Sequence, residues 1–91
     1  MTDRHTGTVT ITNKLGLHAR AAAKLVEAAA RFQSTILIAK DGDTVDARSI
    51  LGLMMLNARQ GTDVHVSAEG ADAREAIAAI LALIHAKFGE D

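Results

Sequence analysis

Polar and apolar residues alternate along Thr8-Val9-Thr10-Ile11-Thr12, with Val9 and Ile11 on one side and the threonines on the other. That is the period of a β-strand with one wet face. From Ala19 to about Phe32 the spacing changes to that of a helix. Ala22, Leu25, Val26, Ala29 and Phe32 form one stripe, while Arg20, Lys24, Glu27 and Arg31 form a charged face opposite. Ser34 to Lys40 reads as a second strand, and Asp41-Gly42 is a two-residue hairpin signal leading into a third around Thr44 to Ala47. Ser49 suits the N-cap of a short second helix ending near Gln60, with Gly61 placed to close it. Thr62 to Ala68 alternates again, with Val64 and Val66 inward. A last helix runs from an Asp72 cap, with Glu75 at the capping-box position, to about Phe88. Its stripe is Ile77, Ile80, Leu81, Ile84 and Phe88.

The predicted order is β, α, β, β, α, β, α. A four-stranded antiparallel sheet with three helices on one face buries all three amphipathic stripes and leaves the threonine face wet, an α+β open-faced sandwich. No linker, repeat or low-complexity tract interrupts the pattern, so residues 1–91 are expected to form a single domain. A chain of this length buries roughly 60 to 65% of its unfolded surface.

Composition narrows the function classes. With 48% hydrophobic residues but two Phe and no Trp or Tyr, the core must be aliphatic. Ten basic against eleven acidic residues leave a net charge of −1. Together with the scarcity of aromatics for base stacking, this argues against nucleic-acid binding. There is no cysteine, hence no disulfide, thiolate nucleophile or cysteine metal site. The stretch from Met1 to Gly7 is polar, unlike a signal peptide. The longest apolar run, Ile50 to Leu56, is far short of the roughly 20 residues that span a bilayer. No membrane insertion is expected, and the location expected is cytoplasmic.

Candidate chemistry centres on Gly16-Leu17-His18-Ala19-Arg20, where a short loop meets the first helix. A helix start offers unpaired N–H groups, including that of Ala19, and the positive end of the helix dipole. An anion held there gains about 0.3 to 1 kcal/mol, up to about 2 when partly buried, which suits a group that must be passed onward. A neutral imidazole is a nucleophile near physiological pH, so His18 is a candidate phosphoryl carrier, with a cap or packing role as the alternative. Arg20 can grip phosphate oxygens with two parallel hydrogen bonds. The other histidines have simpler readings: His5 in the terminal stretch, His65 on the wet side of a strand, and His85 in a last helical turn. No two histidines share a helical face and no carboxylate cluster surrounds them, so no metal site is expected, nor any cofactor. GxSxG, GxGxxG and P-loop patterns are lacking.

The segment Ser49-Ile50-Leu51-Gly52-Leu53-Met54-Met55-Leu56 is apolar on nearly every side. A helix lying on a sheet buries one face, so some of Leu51, Met54 and Met55 should be exposed, as core overflow or as a surface for partners. Ser49 itself reads first as a cap and second as a regulatory phosphorylation site.

With these residues in place, the chain closely resembles the HPr family, the histidine-containing phosphocarriers of the phosphoenolpyruvate-dependent phosphotransferase system. The matching segments are Asn13-Lys14-Leu15-Gly16-Leu17-His18-Ala19-Arg20 and Ser49 to Leu56, at the family's separation, and the likeness covers about Thr8 to Phe88. The resemblance implies that His18 takes a phosphoryl group on Nδ1 from enzyme I and gives it to a histidine of an enzyme IIA-type acceptor, with Arg20 steadying the phosphate. The chain would then be a carrier rather than a turnover enzyme. The resemblance also implies a docking surface of Leu17, Arg20, Ala23, Lys24 and Glu27 with Ile50, Leu51, Met54 and Met55. Ser49 matches the position modified in some members by a serine kinase and phosphorylase. Ala21 stands where the family usually has proline, a small change in preorganisation. The string ITNKLGLHARAAAKL and the ending Phe88-Gly89-Glu90-Asp91 lean toward the nitrogen-related branch rather than sugar uptake. A second function class is a regulatory interaction module acting through Ile50 to Met55 and switched by phosphorylation at His18 or Ser49. A small-molecule-binding sandwich would need a concave apolar pocket that the pattern does not suggest.

Overall fold

The computed structural model describes residues 3–90, so Met1, Thr2 and Asp91 of the expected domain lie outside the described residues. The elements are β1 (Asp3–Thr10), α1 (Ala19–Ala29), β2 (Thr35–Lys40), β3 (Asp43–Asp46), α2 (Ile50–Met55), β4 (Asp63–Gly70) and α3 (Ala73–His85), followed by a 3-10 turn over Lys87–Gly89. All strand pairs are antiparallel, in the spatial order β1-β4-β2-β3. The inward faces of β2 and β4 supply Ile36, Ile38, Val64, Val66 and Ala68, all buried, and α1 and α3 close over them with Ala22, Leu25, Ala29, Ile77, Ile80 and Ile84. The other face stays open, where His65 Nδ1 pairs with the Thr8 hydroxyl at 2.9 Å. The order and layering are those the periodicities predict.

Several boundaries differ from the sequence expectation. β1 begins five residues before Thr8, because Asp3 to Gly7 find backbone partners along Gly70 to Val66; His5, assigned to a terminal tail, is a strand residue opposite Ala68. At Gly7 α3 comes close to the strand: a Cβ there would stand 2.7 Å from Leu81 Cδ1. α1 stops at Ala29, and Phe32 lies beyond it, half-buried. α2 ends at Met55 rather than near Gln60. Asn57, at φ 53°, breaks the helix, and Lys40 Nζ donates to the carbonyls of Leu56 and Asn57, each at 3.1 Å, where a helix end favours a cation. Gly61 does not close α2; it takes part in the connection to β4, its N–H donating to Ile11 O at 2.7 Å.

Asp72 precedes α3 but makes no capping bond to it. Its carboxylate instead accepts from the N–H groups of Gln33 and Ser34, both at 2.9 Å, and from the Ser34 hydroxyl. It therefore ties the turn before β2 to the start of α3, and the expected capping box with Glu75 gives way to that tie. α3 ends at His85, short of Phe88, which sits in the following turn at φ 55° with its ring buried to 1% exposure. The Asp41-Gly42 turn does form as expected, with φ of 51° and 86° as a tight hairpin of this type requires.

Candidate functional site

The loop before α1 is fastened to the connection after α2. Leu17 N–H donates to Ala58 O at 2.8 Å, Ile11 N–H to Thr62 O at 2.8 Å, and Gln60 Nε2 to Thr12 O at 3.1 Å. Gly16 permits the approach: its φ is 66°, and a Cβ there would meet Ala58 O at 2.6 Å. Asn13, fully buried, closes the loop from inside with Nδ2 on Gly16 O at 2.8 Å. The chain thus enters α1 in a defined direction. His18 occupies the N-cap with an extended backbone and makes no side-chain capping bond, so its ring is free for other partners.

That ring lies over the start of α1 in an open cleft of about 580 Å³ lined by Lys14, Leu15, His18, Ala19, Arg20 and Glu90. The first intrahelical bond is Ala22 N–H to His18 O at 2.8 Å, which leaves the N–H groups of the preceding turn without intrahelical acceptors. Among the described residues the Arg20 guanidinium makes no hydrogen bond or ion pair, so its donors are uncommitted. Lys14 likewise adds positive charge to the rim. The site offers a nucleophilic ring, an arginine fork and a helix start within one small basin.

A residue that the periodicities gave no reason to single out completes it. Glu90 Oε2 lies 2.5 Å from His18 Nε2, and its Oε1 accepts from Asn13 Nδ2 at 2.9 Å. The hydrogen bond from Asn13, then that from His18, hold the Glu90 carboxyl below its ordinary value of 4.5 against the opposing effect of desolvation, and the charges of His18 and Lys24 add to the lowering. An ionised carboxylate can only accept, so Nε2 carries a proton and donates it. Glu90 follows α3 with no periodic pattern around it. Its one cue in the sequence is its place in the ending Phe88-Gly89-Glu90-Asp91.

The structure sorts the expected docking residues. Leu51, Met54, Met55 and Ile50 are exposed, at 71%, 44%, 75% and 43%, and so is Leu15 at 72%, which the helical pattern did not flag. Ala23, Lys24 and Glu27 lie exposed on α1. Leu17 does not belong with them: it is 6% exposed and packs in the core, because its backbone is tied to Ala58. The Lys24 amine, expected on the charged face, reaches across to donate to Phe88 O at 2.6 Å. Ser49 caps α2 as expected, its hydroxyl accepting from Gly52 N–H at 3.0 Å.

Comparison with known proteins agrees with this arrangement. The family model described as "PTS HPr component phosphorylation site" matches residues 5–86. Phosphocarrier protein HPr of Cupriavidus necator is 52% identical over 81 residues, 89% of this chain and 91% of that protein. Phosphocarrier protein NPr of Escherichia coli K12 is 44% identical over 85 residues, 92% and 94% respectively. The crystal structure of HPr-C-His from Thermoanaerobacter tengcongensis superimposes with a TM-score of 0.92 at 49% identity, covering 96% of this chain and 98% of that one. With the fold, the loop-to-helix site and a match over nearly the whole length in agreement, the chain belongs to the HPr family of phosphocarriers of the phosphotransferase system.

Proposed function

We propose that His18 is the phosphoryl acceptor, that it takes the group on Nδ1 from a phosphohistidine of enzyme I, and that it delivers the group to a histidine of an enzyme IIA-type protein. The observation that carries this reading is the engagement of Nε2 by Glu90 while Nδ1 has no hydrogen-bond partner among the described residues. In the neutral ring, with one nitrogen occupied as a donor, the other holds the lone pair. In the transfer, that pair forms the N–P bond and the donor's N–P bond breaks, its electrons returning to the donor ring. Arg20 and the N–H groups at the start of α1 stabilise the phosphoryl oxygens as charge builds on them.

Exposed Leu15 on the basin wall, with exposed Leu51 and Met55 on α2, supplies apolar contact area for a partner, and methionine adapts to more than one surface. The nitrogen-related branch is the preferred reading for the pathway, on the His-Ala-Arg-Ala-Ala-Ala-Lys run and the Phe-Gly-Glu ending. The test is incubation with enzyme I and radiolabelled phosphoenolpyruvate, expected to yield an acid-labile, base-stable label on the wild-type chain and none on His18→Ala. A labelled His18→Ala chain would remove His18 from the role. Parallel incubation with sugar-branch and nitrogen-branch enzyme I decides the pathway by which one labels faster.

A further inference from the structure

Glu90 lies 72 residues beyond His18, yet its carboxylate is held against the ring from several directions. Asn13 Nδ2 fixes Oε1, leaving Oε2 for the imidazole. One residue pair back, the buried Phe88 ring anchors the turn, and Lys24 Nζ clasps the Phe88 carbonyl. Both Lys87 and Phe88 adopt left-handed backbone, at φ 59° and 55°, a conformation that side chains beyond glycine take up only at a steric cost. The fold sustains that cost at the step that turns the chain back toward His18. A solvated glutamate with free rotamers would need none of this.

The geometry points to Glu90 as a positioning residue for phosphoryl transfer, holding the His18 proton on Nε2 so that the Nδ1 lone pair is available for attack. The inference rests on the phosphoacceptor reading of His18 given above. Carboxylates that fix the tautomer of a histidine by accepting from its second nitrogen are a general device, and at metal sites their removal costs about 10- to 100-fold in affinity or activity.

The proton balance is simple. In uptake from a phosphohistidine donor, the Nδ1 pair bonds to phosphorus, the donor's N–P bond breaks, and its electron pair stays on the donor nitrogen. No proton has to leave Nδ1. The His18 ring then bears phosphoryl on Nδ1 and hydrogen on Nε2, and the Glu90 carboxylate balances the resulting ring charge. On delivery the N–P pair returns to Nδ1 and the proton is still on Nε2. A second effect opposes this one, because the carboxylate repels the phosphoryl oxygens. That repulsion acts across the width of the ring and is offset by Lys14 and Arg20 on the cleft wall, whereas the contact with Nε2 is direct.

The experiment uses the whole chain as wild type, Glu90→Ala and Glu90→Gln, the last preserving side-chain size. Ring 15N spectra at about pH 8, where an ordinary imidazole is neutral, report which nitrogen carries the proton. Phosphoramidate, a small phosphoryl donor that needs no protein partner, reports uptake by 31P spectroscopy. The wild type is expected to carry the proton on Nε2. Glu90→Ala is expected to give a mixed tautomer population and uptake slowed by about tenfold, with Glu90→Gln also slowed. Equal uptake by wild type and Glu90→Ala would overturn the role. So would slowed uptake with an unchanged Nε2–H signature, which marks a structural effect only. Failure of enzyme I to label the wild type would overturn the carrier reading, a result distinct from either.

Discussion

Asp72 accepts three hydrogen bonds from the turn at Gln33 and Ser34 and none from the helix it precedes. Bonds from the Ser34 hydroxyl and then the Gln33 N–H hold its carboxyl below the ordinary 3.8, outweighing the effect of desolvation. A depressed folded value means that the stabilisation is complete above the unfolded value and is lost as pH falls through the folded one. Asp72→Asn is therefore expected to melt below the wild type at neutral pH, and the gap should close in acid, below the ordinary 3.8. Thermal melts by circular dichroism across that range check it, and a gap independent of pH would show that charge is not the cause. The same sign applies to Glu90, whose carboxyl is also lowered, so acid should weaken its hold on the loop at Asn13 as well as on His18.

At the scale of the element, α2 is held by side chains at both of its ends. Its six residues are too few to be stable alone, and the Ser49 hydroxyl satisfies the Gly52 N–H at one end while Lys40 meets the carbonyls beyond the other. Ser49→Ala is expected to cost about 1 kcal/mol in denaturant unfolding, with Ser49→Asp recovering most of it as an alternative cap. Met55→Lys, at a position 75% exposed, is expected to change stability by no more than about 0.5 kcal/mol while weakening association with enzyme I in a titration. The length of α2 also shows where periodicity loses its hold. Leu53 and the exposed Met55 were readable from the apolar run, but its end at Met55 comes from Asn57, Lys40 and the bond from Leu17 to Ala58 O, none of which has a local signature. Likewise the polar stretch from Asp3 to Gly7 becomes strand only because β4 pairs with it. His18 and Arg20 were legible because a helix start is a local feature. Glu90 was not, because what places it is Asn13, Lys24 and the Phe88 anchor.

Across the whole molecule, the sheet order β1-β4-β2-β3 puts the first and last strands side by side, with α3 packed over β1 and β4. Phe88 then carries the end of the chain back over α1. Phe88→Ala is expected to cost about 3–5 kcal/mol, a large share of the roughly 5–14 kcal/mol available to a chain of this size. Because the ring is also the anchor for Glu90, the variant should lose the His18 Nε2–H signature in ring 15N spectra under conditions where it is still folded. Retention of that signature would mean that Asn13 and Lys24 hold Glu90 without the anchor. The contact between His18 and Glu90, spanning nearly the full chain, also has a consequence for biosynthesis. On the ribosome, residues 13–20 emerge long before residues 87–90, so a nascent or prematurely terminated chain has its histidine without the carboxylate that holds the Nε2 proton. With Glu90 in the positioning role proposed above, a chain that stops short of residue 90 is expected to take up a phosphoryl group about tenfold more slowly than the whole chain, and full readiness comes only once the last turn has folded back.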